Sequence, residues 1–119
     1  SVCNIINLRS DKIHSCIIES GFSTEDFFCD LLSIDKSYYE EEYGFGNLRK
    51  ISKYQKPLYI IHADQDHIVP FNNGLKLYEA CPSNNKKLFI VEGANHNNIL
   101  SVAQNKYFKN IKRFIDNVN

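Results

Sequence analysis

The chain has 119 residues, 43% of them hydrophobic and 24% charged, enough for one globular core and too apolar for wholesale disorder. Its 14 basic and 14 acidic residues cancel, which removes the electrostatic footprint of a nucleic-acid binder; Lys86-Lys87 and residues 109–113 read as solvated surface. The longest apolar run, Leu58 to Ile61, is far too short to cross a bilayer, and no signal-peptide pattern is visible at Ser1, so membrane association stays open.

Val2, Ile5, Ile6 and Leu8 recur near helical spacing, so residues 1–9 read as the end of an amphipathic helix that Ser10-Asp11-Lys12 breaks. Ile13 to Glu19 reads as a strand, apolar enough to be covered on both faces and ended by Ser20-Gly21. Thr24-Glu25-Asp26 marks a helix start, with Phe27, Phe28, Leu31 and Leu32 as its apolar face. The run Tyr38 to Tyr43, followed by Gly44-Phe45-Gly46, suggests a polar, mobile loop. Asn47 is expected to N-cap a helix over Leu48 to Tyr54 with Ile51 inward. Pro57 opens a second strand, Leu58 to His62, where a missing N–H is tolerated.

Pro70 begins a helix through Cys81 that packs Leu75, Leu77 and Tyr78. Pro82 to Asn85 is a turn, and Lys87 to Val91 a third strand. From Asn98 onward Ile99, Leu100, Ala103, Tyr107, Ile111, Phe114 and Ile115 predict one long amphipathic helix. This alternation predicts an α/β fold: a parallel sheet with crossover helices, the strands adjacent in sequential order, and no internal domain boundary. Cys3, Cys16, Cys29 and Cys81 are scattered without C-x-x-C pairing, which favours a reducing intracellular compartment.

Two loops carry chemistry. Asp66 follows the second strand and His96 the third, and parallel sheets gather catalytic groups beyond the carboxyl ends of their strands. A histidine acting as general base needs its other ring nitrogen held by an acceptor, which Asp66 can supply from the neighbouring loop. Alone, each has a plain reading, a turn former and a surface histidine; their paired placement makes them the candidate catalytic residues. Asp64 reads as a solvated neighbour, His62 as a strand-end residue bonded to the loop, and His67 as facing solvent or a cleft. His14 carries no signal.

At these residues the chain resembles the α/β-hydrolase family. Its acid loop commonly reads I-I-H-G-x-x-D-x-x-V-P, and here stands Ile60-Ile-His-Ala-Asp-Gln-Asp-His-Ile-Val-Pro70. Its histidine loop commonly reads G-A-G-H, and here stands Gly93-Ala-Asn-His96. Ala63 and Asn95 replace glycines, and Asn98 stands where the thioesterase-like branch often has an acid. The likeness is strongest to the small-lid branch with lysophospholipase-like esterases and protein depalmitoylating thioesterases.

The resemblance implies that residues 1–119 are the C-terminal part of a three-layer α/β/α hydrolase domain, supplying Asp66 and His96 of a Ser-His-Asp triad. It implies an ester or thioester substrate, either a small lipid-like molecule or an acylated protein, and no cofactor or metal. No G-x-S-x-G occurs in the chain, so the nucleophile is expected about three residues before Ser1, and the oxyanion donors upstream as well. Ser1 itself is a poor nucleophile candidate because Cys3 stands where the elbow wants glycine. The competing readings are a zinc hydrolase resembling metallo-β-lactamases, through His62-Ala-Asp-Gln-Asp-His67, and a non-catalytic α/β binding module.

Overall fold

The computed structural model describes residues 2–36 and 45–119; the loop expected at Tyr38 to Gly44 and the reading of Ser1 lie outside them. Along the chain run α1 (Val2–Leu8), β1 (Cys16–Glu19), α2 (Asp26–Leu32), α3 (Asn47–Ile51), β2 (Leu58–Ala63), α4 (Asn72–Ala80), β3 (Lys86–Val91), α5 (Ile99–Ala103) and α6 (Asn105–Val118). The strands form one parallel sheet in the order β1-β2-β3, with Cys16 opposite Leu58 and Leu58 opposite Lys86. The α/β architecture and the strand order are those the sequence predicts.

The central strand explains the layering. Every residue of β2 is buried, and because strand side chains alternate, they divide between two cores. Leu58 and Ile60 join Cys3 and Ile6 of α1, Ile51 of α3 and Leu77 of α4 on one face. Tyr59, Ile61 and Ala63 join Ile99 and Ala103 of α5 and Phe114 of α6 on the other. His62 therefore faces the α4 side, inside the protein. Among the described residues no helix is long and apolar enough to cross a membrane.

Four local expectations are corrected. β1 begins at Cys16, not Ile13: Cys16 N–H makes the first ladder bond, to Pro57 O at 2.9 Å, while the Ile13 carbonyl is taken by the Lys56 ammonium at 2.6 Å. Asn47 is not the cap of α3 but its first residue. Gly46 supplies the left-handed turn (φ 57°), and Asn47 Nδ2 donates to the Phe22 carbonyl at 3.0 Å. In α2 the buried residue is Cys29, whereas Leu31 and Leu32 are exposed; Phe28 packs edgewise and Phe27 at a tilt on Phe22 instead.

The C-terminal helix is two helices. At Gln104 the backbone turns to φ 47° and ψ −130°, separating α5 from α6. Ile99, Ala103, Tyr107 and Ile111 recur every four residues, and each such step drifts about 40° around a helix of 3.6 residues per turn. Over that span a straight helix would swing Ile111 off the sheet. The break resets the phase, so α6 presents Tyr107, Ile111 and Phe114 to the same core.

Candidate active site

The acid loop, residues 64–69, leaves β2 and folds back on itself. Asp66 Oδ1 accepts hydrogen bonds from the backbone N–H of Ile68 (2.9 Å) and of Val69 (2.8 Å), an Asx-type turn that the short acidic side chain favours. Asp66 Oδ2 is thereby left to point across to β3, where it accepts a 2.8 Å bond from His96 Nδ1. The carboxylate is buried. Burial pushes its pKa up, but the bonds from Val69 N–H, the His96 ring and Ile68 N–H outweigh that and hold it below the ordinary carboxylate value. Asp66 is thus a desolvated anion fixed by three donors.

His96 sits on residues 92–98 after β3, with about a third of its side chain exposed (30%). Its Nδ1 is committed to Asp66, which leaves Nε2 outside that bond. The loop bends at Gly93, whose φ of 74° is a conformation that L side chains rarely adopt. Asn98 Oδ1 then accepts from Asn95 N–H, and Asn95 Oδ1 from Asn97 N–H, satisfying the turn internally.

The two loops are also tied to each other. Gln65 N–H donates to the Ala94 carbonyl at 3.0 Å, and Gly93 N–H donates to Asp64 Oδ1 at 2.8 Å. Asp64 is therefore a cross-loop brace rather than a solvated neighbour, a role visible only once β2 and β3 lie side by side. Neither Ala63 nor Asn95 has a positive φ, so the glycines they replace are not needed for backbone shape here.

The four histidines divide clearly. His96 meets Asp66. His62 is completely buried, its Nε2 2.8 Å from the Val69 carbonyl and 3.6 Å from Asp66 Oδ2. His67 and His14 are exposed. Zinc would need His62, Asp66 and His67 to converge, but the first is spent on a carbonyl and the second on His96. Among the described residues no three His, Cys, Asp or Glu side chains gather to hold a metal ion. The four thiols are free and buried; burial first, then the neighbouring Cys3 and Cys81, push Cys16 up to about 12, which makes it a poor nucleophile at neutral pH.

Comparison with known proteins bears on the family and the fold. A model of the prolyl oligopeptidase family matches residues 21–119. The chain is 43% identical over 72 residues to alpha/beta hydrolase domain-containing protein 17C of Xenopus tropicalis, covering 60% of this chain and 22% of the relative. Its human counterpart is 42% identical over 72 residues, covering 60% and 21%. The matched stretch thus spans about a fifth of the length of these curated relatives. Among solved structures, an esterase of Pyrococcus furiosus superposes with a TM-score of 0.76 at 16% identity, over 98% of this chain and 48% of that one. A monoacylglycerol lipase of Paleococcus ferrophilus gives 0.74 at 16%, over 99% and 64%.

Proposed function

The chain belongs to the prolyl oligopeptidase family and has the α/β-hydrolase fold, and from that premise we propose that it is the acid-and-histidine part of a serine hydrolase. The observation that carries this reading is the 2.8 Å bond between Asp66 Oδ2 and His96 Nδ1 at the carboxyl ends of adjacent parallel strands. With Nδ1 held by a buried carboxylate, His96 Nε2 is a base of defined tautomer and direction. A serine on an elbow upstream of residue 1 attacks the acyl carbon, and His96 Nε2 takes its proton and passes it to the leaving oxygen or sulfur. Water then repeats the step to free the acid.

The substrate proposed is an ester or thioester with an apolar acyl part, whether a small lipid or an acylated protein. Supporting it is a groove of about 210 Å³ lined by Glu25, Phe28, Cys29, Leu32, Ile34 and Phe45, apolar apart from Glu25. The serine and the oxyanion donors lie outside residues 1–119, so the isolated chain is expected to show no hydrolysis of p-nitrophenyl esters above a free-histidine background.

The test is active-site labelling of the full-length protein with a fluorophosphonate, followed by peptide mass spectrometry. The label is expected on a serine upstream of residue 1, and labelling is expected to collapse in His96→Ala. A label on Ser1, or labelling indifferent to His96, would overturn the reading.

A further inference from the structure

The most unusual side chain near the site is one the proposed chemistry leaves without a task. His62 has no solvent exposure at all, and its Nδ1 is a buried polar atom with no hydrogen-bond partner. An imidazole is a costly group to seal in a core with one nitrogen unsatisfied. Its neighbours are arranged around the ring. Gly74 of α4 lies so close that a Cβ there would fall 2.4 Å from His62 Nδ1, and Phe71 packs edge-on with ring centroids 5.9 Å apart. Helix α4 carries a glycine at the position where any side chain would displace this ring.

The other nitrogen explains the arrangement. His62 Nε2 lies 2.8 Å from the Val69 carbonyl, and only a ring with its proton on Nε2 can make that bond. Flipping the ring would put a carbon against the carbonyl, and Nδ1 has no acceptor to receive a proton. Val69 grips both groups: its carbonyl takes His62 Nε2–H, and its own N–H goes to Asp66 Oδ1. His62 and Asp66 are therefore joined through a single residue whose side chain is itself buried.

The 3.6 Å separation between His62 Nε2 and Asp66 Oδ2 adds a second consequence. His62 Nε2 is thus a second ring nitrogen close to the oxygen that His96 uses. With its proton committed to Val69, it cannot compete. We propose that His62 is a positioning residue, acting through Val69 to aim Asp66 Oδ2 at His96 while keeping its own N–H off that oxygen. This rests on the reading of Asp66 and His96 as a catalytic pair. His62 touches no reacting atom.

The geometry distinguishes two substitutions. In His62→Gln the terminal amide nitrogen reaches the place of Nε2 and can still donate to Val69. In His62→Asn it reaches only the place of Nδ1, beside Gly74, and the Val69 bond is lost. In the full-length protein assayed on a p-nitrophenyl ester, His62→Asn is expected to lower kcat roughly ten- to a hundred-fold with KM within about twofold, and His62→Gln to recover most of the loss. In an Asp66→Asn background His62→Asn should cost almost nothing more, because the two act in series. Equal effects of Gln and Asn, or an undiminished loss in the Asp66→Asn background, would reduce His62 to a packing residue and overturn the proposal.

A measurement without variants tests the bond to Val69 on which the proposal stands, if either substitution prevents folding. In the ¹⁵N imidazole spectrum of the wild-type protein His62 should show protonated Nε2 and bare Nδ1, and protonation at Nδ1 instead would overturn the proposal. If Asp66→Asn alone leaves turnover intact, the catalytic-pair reading fails on its own, whatever the His62 variants do.

Discussion

The acid loop and the histidine loop lie side by side and are built in opposite ways. The acid loop is buried and self-supporting: Asp66 is held by two N–H groups of its own loop, and His62 pins that loop from beneath. The histidine loop is half-exposed. Beyond its own asparagine turn it leans on its neighbour, through Ala94 to Gln65, Gly93 to Asp64 and His96 to Asp66. The difference suits the two tasks proposed for these residues. An orienting carboxylate works best desolvated and immobile, whereas a base must keep one nitrogen open to its substrate, so its aim is borrowed from the rigid partner.

The largest way to break the comparison is to remove the groups that join the loops. In the full-length protein His96→Ala and Asp66→Asn should each lower kcat by about 10⁴-fold, the first deleting the base and the second its orientation. Near wild-type turnover in folded Asp66→Asn would move the acid elsewhere, with Asp64 the first candidate.

Next is the floor of the acid loop. Gly74→Ala drives a methyl group into the sealed His62 ring, and overpacking of this kind costs about 1–3 kcal/mol. Denaturant unfolding measures it directly. A variant as stable as wild type would mean that the ring can move, and that the acid loop is less rigid than its bonding suggests.

The same experiment on the other loop should give a smaller result. A Cβ on Gly93 meets nothing, so Gly93→Ala suffers only from its left-handed backbone, a penalty of about 1 kcal/mol. A cost equal to that of Gly74→Ala would erase the contrast between a packed floor and an open turn.

The smallest effect is a pH dependence. The Asp66 pKa is lowered on folding, so its stabilising bonds are fully present above the unfolded carboxylate value of about 3.9 and are lost as pH falls through the lower folded value. Acid titration of stability should therefore show one carboxylate's contribution disappearing in that window, and Asp66→Asn should lack it.

How much of this was legible in advance differs residue by residue. The short apolar run at Leu58 to Ile61, opened by Pro57 and closed by a polar loop, marks a strand covered on both faces. Asp66 and His96 could be paired because short crossovers make neighbours of consecutive strands and bring their following loops together, and the resemblance of both loops to α/β-hydrolase motifs singled out Asp66 over Asp64. The break at Gln104 had no such signal. Its residues look helical throughout, and only the position of the sheet decides that the drift of a straight helix is unacceptable. The roles of His62, Gly74 and Asp64 were hidden for a related reason. Each is defined by a contact across elements: ring against helix α4, carboxylate against the Gly93 amide. Local sequence encodes propensity and periodicity, which are properties of neighbours along the chain. What a buried polar group bonds to is settled by which surfaces the folded chain brings together, and only the tertiary structure decides that.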